Sequence, residues 1–187
     1  KNNRPASDAL KDWGASHRFA GAGDRAVIAN IVYDALRRKL SYSWRMQDNS
    51  AYHLAYGALL SESQSGTDEL MALIATDKFA PSPLSQASLD HWQDSDLKKA
   101  PEHIQADVPL WCVDLLRNTF GEDWVAQCAA LADRPPLDLR VNLLKADTAK
   151  VLDALAETGA AVAPFLNDAV RIPPIEAFGR HPNLQNG

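Results

Sequence analysis

Hydrophobic residues recur every three or four positions through most of residues 1–134, which is the spacing of helices that bury one face. In residues 24–39, Asp24 can cap a helix whose apolar stripe consists of Val27, Ile28, Ile31, Val32, Ala35 and Leu36. The pattern predicts a helical bundle with helices over residues 5–20, 24–39, 50–61, 67–76, 109–120 and 124–131. The prolines within residues 80–107 predict only short helices or turns there.

The pattern changes after Pro136, where apolar and polar residues alternate up to Leu143, as in a half-buried strand. A helix that begins near Asp147 or Thr148 and closes at Gly159 comes next. Short strands over residues 161–165 and 169–172 follow it. The sequence therefore predicts a mainly α fold in two parts, a helical domain over residues 1–134 and a small α+β element of β-α-β-β order over residues 135–187. We expect the second part to be too short for a core of its own.

Charge is distributed unevenly along the chain. Residues 1–45 contain nine basic and four acidic side chains, although the whole chain has a net charge of −5. A local basic surface on an acidic protein indicates a polyanionic partner such as nucleic acid. The alternative is that these side chains are only the ordinary solvated face of helices.

The common signatures of enzymes are missing from the sequence, which contains no dinucleotide fingerprint, P-loop or nucleophile elbow. The five histidines are scattered without metal-ligand spacing, so we expect no metal site. Cys112 and Cys128 lie among apolar residues, and we expect both to be small core residues rather than nucleophiles. Without a long apolar run or a signal peptide, we expect a cytoplasmic chain that does not contact a membrane.

The tryptophans mostly fall on apolar stripes, where packing in the core is the expected role. Trp44 is different because it lies beside Arg45, just past the end of a basic helix. Aromatic residues next to arginines can stack on unpaired bases. A loop that Trp44 anchors in the core is the favoured alternative.

Residues 136–145 read Pro-Leu-Asp-Leu-Arg-Val-Asn-Leu-Leu-Lys, which resembles a segment of the bacterial Sun-type (Fmu-like) RNA cytosine-C5 methyltransferases. The helix that ends at residues 156–159 and the strand at residues 169–172 resemble the same family. Upstream, residues 4–38 resemble the family's helical N-terminal region, which is similar to the NusB-type RNA-binding bundle. Pro109-Leu110-Trp111 with Phe120-Gly121 resembles a further helix of the family. The resemblance is weak between about residues 50 and 107.

The resemblance implies that this chain is the non-catalytic N-terminal region of a ribosomal RNA methyltransferase. In that family, residues like 135–187 open a small element similar to an RNA-recognition motif, in front of the catalytic domain. The catalytic domain binds S-adenosylmethionine and uses two cysteines in Pro-Cys and Thr-Cys contexts. Here the pairs are Trp111-Cys112 and Gln127-Cys128, so no catalytic or cofactor-binding residue is assigned. We expect the parent protein to be an enzyme, its cofactor site and catalytic domain to lie beyond Gly187, and this chain to be inactive alone.

The expected RNA surface starts from Arg37, with Tyr33 and Asn30 on the same face of the helix. A wider set of basic residues would extend it, namely Arg18, Arg25, Arg38, Lys39 and Arg45. Arg140, Asn142 and Lys145 are expected at the entry to the catalytic domain. Each set has a structural alternative, since Asp34 can pair with Arg38, Asp138 can pair with Arg140, and Asn142 can close a turn.

Two other functions stay open on the sequence. The chain can be a protein-interaction module whose acidic part docks a basic partner such as a ribosomal protein. It can also be a standalone RNA-binding regulator without catalysis, which the reading frame after Gly187 would decide.

Overall fold

The computed structural model describes residues 4–63 and 66–174, and helices dominate it. The helices up to residue 131 are α1 (Ala6–Ser16), α2 (Ala22–Arg37), α3 (Lys39–Met46), α4 (Ala51–Glu62), α5 (Thr67–Thr76), α6 (Gln86–Asp94), α7 (Glu102–Gln105), α8 (Val113–Phe120) and α9 (Trp124–Leu131). Short 3-10 turns lie at Leu97–Lys99, Leu110–Cys112 and Gly121–Asp123. The prediction of a mainly helical chain, with only short helices between residues 80 and 107, is confirmed.

Local capping explains several of these helix boundaries. Ser50 accepts a hydrogen bond from the backbone N–H of His53 at the start of α4, and Ser85 does the same for Ser88 at the start of α6. Such caps satisfy backbone donors that a helix leaves without partners in its first turn. Helix α4 therefore begins and ends within one residue of its predicted limits.

Helix α3 was not predicted, because residues 40–45 read as a segment past the end of a helix. Its first turn is capped from far away in sequence. The Asp107 carboxylate accepts hydrogen bonds from the backbone N–H groups of Leu40 at 2.8 Å and Ser41 at 2.9 Å. A cap that lies 66 residues away leaves no signal in the local sequence, so the helix could not be found from it.

The main apolar cluster lies between α2, α3, α4 and α6. Its most deeply buried large side chains are Tyr56 and Met46, and Tyr42 and Trp92 pack in the same cluster. Tyr42 and Trp92 meet edge to face, with their ring centroids 5.7 Å apart. Gly57 lets α4 approach α3, because a Cβ atom at this position would lie 2.8 Å from Cγ of Tyr42.

A second apolar cluster contains Ala106, Trp124 and Cys128. Burial raises the pKa of the Cys128 thiol, which agrees with its predicted role as a small core residue. Cys112 is only half-buried, so the same prediction for this residue is wrong. The prediction of core packing is also wrong for Trp111, whose side chain is 79% exposed.

The part after residue 134 has the predicted β-α-β-β order. Strand β1 (Leu137–Arg140) is followed by α10 (Thr148–Ala154), β2 (Ala161–Val162) and β3 (Ala169–Ile172). The antiparallel sheet has the order β1-β3-β2, in which Asp138 lies opposite Arg171. Strand β1 ends three residues earlier than the alternation predicts, because the chain turns after Val141 and residues 142–146 form a turn instead.

This small element has an apolar cluster of its own, contrary to the expectation from its length. Val141, Leu155, Val170 and Ile172 are all buried, and Val170 has no exposed surface. The sheet and α10 each contribute one face to this cluster. Three short strands and one helix are therefore enough to bury a minimal core.

The structure divides into two compact units. The first contains Lys1–Asp12 and Ile28–Asp133, and the second contains Trp13–Val27 and Arg134–Gly187, as far as these residues are described. The predicted boundary after residue 134 lies next to this division, whereas residues 13–27 fall on the other side from the prediction. In the second unit, Gly14 is buried against the side chain of Arg25.

Candidate nucleic-acid interface

Arg37, the centre of the expected RNA surface, is held by contacts within the first unit. Its Nε donates a hydrogen bond to the backbone carbonyl of Ala132 at 2.9 Å, and its guanidinium lies 3.3 Å from the Asp34 carboxylate. Only 27% of the side chain is exposed. The guanidinium therefore ties the end of α2 to the end of α9, and little of it faces solvent.

Arg38 is also engaged, by ion pairs with Asp34 and Asp133. The pairing of Asp34 with Arg38 that the sequence offered as an alternative is thus present. Asp34 is buried, and it also accepts a hydrogen bond from the Tyr42 hydroxyl at 2.6 Å. Burial and this bond to a carboxylate raise the pKa of Tyr42, so the phenol stays neutral. The network stabilises the join between α2 and α3.

Arg45 packs on a neighbouring helix. Its guanidinium lies 3.5 Å from the centroid of the Trp92 ring and donates to the Trp92 carbonyl and the Ser95 hydroxyl. Burial lowers the pKa of Arg45, yet an arginine remains charged at neutral pH. Trp44 lies half-buried within α3, not in a loop. This part of the basic segment is therefore better explained by packing than by stacking on bases.

The other predicted residues of the N-terminal set vary in exposure. Lys39 is exposed and makes no ion pair within the described residues, while Tyr33 is 38% exposed and Asn30 is half-buried. Arg18 is exposed in the second unit. Arg25 belongs to the same unit and donates through Nε to the Ala20 carbonyl at 2.9 Å. These residues stay candidates for contact with RNA.

In contrast, the three residues predicted near the strand motif converge on one cavity of the second unit. Arg140, Asn142 and Lys145 all line this cavity, whose volume is about 340 Å³. Its apolar lining comes from β1, β3, α10 and the residues that directly follow β1 and α10. These lining residues are Leu139, Val141, Val151, Leu155 and Val170. The turn after β1 brings the polar residues together, because it reverses the chain between the strand and α10.

Of the two structural alternatives that the sequence offered here, the pairing of Asp138 with Arg140 is absent and the turn closed by Asn142 is present. Asp138 forms a two-pronged ion pair with Arg171 across the sheet, at 2.6 and 2.7 Å, and does not pair with Arg140. Arg140 is 84% exposed and lies 3.8 Å from Asp168. Asn142 does close a turn, because its Oδ1 accepts a hydrogen bond from the backbone N–H of Leu144 at 3.2 Å. Its role in the turn and a contact of its NH₂ group with a ligand are compatible.

Sequence reasoning missed one basic residue of the cavity, Lys150. This exposed lysine lies in the first turn of α10, and its Nζ is 3.7 Å from the Asp147 carboxylate. The sequence could have indicated Lys150. It lies in the first turn of a helix that follows β1 after a short turn, and this places it near the end of β1. Lys150 adds a third cation to the cavity.

Within residues 4–63 and 66–174, no group of histidine, cysteine and acidic side chains could hold a metal ion. Among the same residues, none of the helices has the length and apolar character to cross a bilayer. The two cysteines are both free thiols.

A family model matches the part of the chain that contains this cavity. Residues 108–174 match the model described as "Methyltr_RsmF/B-like, ferredoxin-like domain". No curated protein matches the chain. The match supports the resemblance of this segment to Sun-type RNA methyltransferases. The observed strand order, β1-β3-β2 with α10 between β1 and β2, is that of the first β-α-β-β half of a ferredoxin-like fold.

Proposed function

We propose that this chain is the RNA-binding and positioning region of an S-adenosylmethionine-dependent RNA cytosine-C5 methyltransferase, with ribosomal RNA as its substrate. One observation carries the proposal: Arg140, Asn142 and Lys145 converge on one cavity inside the segment that matches an RsmF/B-like methyltransferase domain. The helical first unit would be the NusB-like part that the resemblance implies. The site of action would be the cytoplasm.

The catalytic step is assigned to another part of the parent protein. In the described residues, no glycine-rich loop joins a strand to a helix, so these residues do not fit S-adenosylmethionine. Cys128 is buried with a raised pKa, which is the opposite of an activated thiolate. The chain's own contribution is to hold RNA by its phosphates and by exposed bases.

The experiment is a titration of labelled small-subunit ribosomal RNA fragments with the chain, followed by fluorescence anisotropy at two salt concentrations. We expect saturable binding that weakens with salt, because phosphate contacts release counterions. The double variant Arg140→Ala/Lys145→Ala should bind more weakly. The slope of log affinity against log salt should shrink by about two at most.

The matched control is Lys98→Ala/Lys99→Ala, which removes the same charge at two exposed positions of the first unit. It should change affinity much less than the cavity variant. Equal losses in both variants would show a non-specific charge effect and contradict this assignment of the site. No binding at low salt would contradict the RNA-binding role itself.

A second candidate function is docking of a protein. The 3-10 turn at Leu110–Cys112 and helix α8 expose large apolar side chains, with Leu110 at 71%, Trp111 at 79% and Leu115 at 65%. Such residues mark interaction surfaces when they cluster. If a basic ribosomal protein binds this chain while naked RNA does not, and Trp111→Ala abolishes that binding, the docking function replaces the RNA-binding one.

A further inference from the structure

We infer that the cavity between β1 and α10 receives a single unpaired nucleotide of the bound RNA, with the base against its apolar wall and the phosphate at its basic rim. This inference rests on the proposed RNA-binding function and specifies its recognition element. It concerns only the second unit.

The size and lining of the cavity suit one nucleotide. A volume of about 340 Å³ lies at the lower end of the range of about 300–1,000 Å³ that small-molecule sites occupy. The accessible aliphatic part of the wall comes from the half-buried side chains of Leu139 and Val151. Val141, Leu155 and Val170 also line the cavity but are almost completely buried, and as core residues they hold its shape fixed. A flat base can pack its face against such a wall, whereas the stacked bases of a helix hide their faces from a protein.

Asn142 provides a hydrogen-bond donor in a defined direction. Its Oδ1 is occupied by the backbone N–H of Leu144, and its NH₂ group makes no hydrogen bond within the described residues. The turn thereby orients the amide so that the NH₂ group is available to a carbonyl or ring-nitrogen acceptor on a base edge. An amide held by its own turn loses little conformational entropy when it binds.

Three basic side chains lie at the rim of the cavity. Arg140, Lys145 and Lys150 line it; Arg140 lies near the Asp168 carboxylate and Lys150 lies near the Asp147 carboxylate. These two ion pairs are long, at 3.8 and 3.7 Å, and solvent-exposed on the cation side, so each is weak. Arg140 and Lys150 can therefore exchange these weak ion pairs for contacts with a single phosphate.

The test uses a variant that fills the cavity without changing its charge. Ala154→Phe places an aromatic ring at an exposed lining position of α10, and Ala149→Phe introduces the same ring at an exposed position of α10 that does not line the cavity. The probes are a labelled single-stranded RNA oligonucleotide and a duplex of the same length. Circular dichroism and thermal unfolding of both variants check that the fold is retained.

We expect the wild-type chain to bind the single strand more tightly than the duplex. Ala154→Phe should weaken single-strand binding about fivefold or more, the loss expected for removing contact with one base, while Ala149→Phe should bind like the wild type. If the chain binds RNA but Ala154→Phe behaves like Ala149→Phe, or if the duplex binds equally well, the cavity does not take a nucleotide and the proposed function still stands. Failure of the wild-type chain to bind either RNA overturns the proposed function together with this inference.

A second pair of variants keeps the test decisive if Ala154→Phe does not fold. Asn142→Asp retains the acceptor for the Leu144 N–H but replaces the donor with a negative charge, and Asn118→Asp makes the same change of charge at an exposed position of α8. Weaker single-strand binding for Asn142→Asp alone supports the inference. Equal affinities for the two variants overturn it.

Discussion

Single residues at the join of α2 and α3 show how distant side chains complete local structure. Asp107 adopts a left-handed backbone conformation, with φ 51°, and its carboxylate caps α3. Asp and Asn tolerate this conformation better than other residues with a Cβ atom. Burial is the main reason that the pKa of Asp107 is raised, although its hydrogen bonds to α3 oppose this effect.

Replacing Asp107 should destabilise the fold in a graded way. Asp107→Ala removes the cap and places alanine at a positive φ, and we expect a loss of about 2 kcal/mol in the free energy of unfolding. Asp107→Asn keeps an acceptor and the backbone preference, so its loss should be under about 1 kcal/mol. Urea unfolding monitored by circular dichroism measures both, and an Asp107→Ala variant as stable as the wild type would show that the cap contributes nothing.

Arg37 illustrates why sites are harder to predict than elements. Its position on the polar face of α2 was read correctly as non-core, but its partner, the Ala132 carbonyl, lies 95 residues away in sequence. Helical periodicity can tell which face a residue occupies, and it cannot tell what covers that face. Arg140, Asn142 and Lys145 lie within six residues, and one turn brings them to the same cavity; their contact with RNA stays a prediction.

Among the elements, α3 and α4 pack most closely at Gly57. A Cβ atom there would meet the Tyr42 ring at 2.8 Å, whereas a Cβ atom at Gly23 in α2 has no heavy atom within 4 Å. Both glycines are helical and neither has a positive φ. The two positions therefore separate the effect of packing from that of helix propensity.

Substitutions by alanine at these two glycines should have opposite signs. Gly57→Ala should destabilise the fold by about 1–2 kcal/mol, because the clash with Tyr42 exceeds the gain in helix propensity. Gly23→Ala should stabilise it by about 0.5 kcal/mol, since it restricts the unfolded chain without a clash. Thermal unfolding measures both, and a stabilised Gly57→Ala variant would contradict the close approach of α3 and α4.

The small sheet contains a cross-strand ion pair, between Asp138 and Arg171, with a defined pH response. The hydrogen bond from Arg171 lowers the pKa of Asp138 below its usual 3.8. A lowered pKa means that the pair contributes to stability above the unfolded-state pKa, and that this contribution is lost as the pH falls through the lowered value. Stability should therefore decline in acid, below about pH 4.

Removing the arginine should return the pKa of Asp138 toward 3.8. NMR titration of the Asp138 carboxyl signal in the Arg171→Met variant measures this change. Arg140→Met, on the same strand as Asp138, is the control and should leave the pKa of Asp138 where it is. An upward shift in the control alone would mean that Arg140, rather than Arg171, is the partner in solution.

At the scale of the whole molecule, the basic side chains of residues 1–45 fall into two classes, those that pack between helices and those that face solvent. Arg37, Arg38 and Arg45 stabilise contacts between helices, while Lys39 and Arg18 remain exposed. The family match falls on residues 108–174, which contain the cavity of the second unit but none of these residues. The positive charge of the first quarter is therefore weaker support for RNA binding than its amount indicates.

Removing a packed cation and removing an exposed cation should have different effects on the free energy of unfolding. Arg37→Ala should lower the free energy of unfolding by about 1–3 kcal/mol, because it leaves the buried Asp34 and the Ala132 carbonyl with one partner fewer. Lys39→Ala should change stability by no more than about 0.5 kcal/mol. Urea unfolding of both variants tests this. Equal stability of Arg37→Ala and the wild type would restore Arg37 as an exposed candidate for RNA contact.

The sequence by itself determined the kind of most elements and the limits of some, such as α4, α5 and α9, since helical spacing, caps and strand alternation are local properties. It also determined the β-α-β-β order and pointed to the family that residues 108–174 match. Only the tertiary structure decided that residues 39–46 form a helix, that the small element buries a core, and that the end of α9 covers Arg37. The physical reason is the same in each case, because the groups that cap a helix, bury a core or cover a side chain come from residues far apart in the chain.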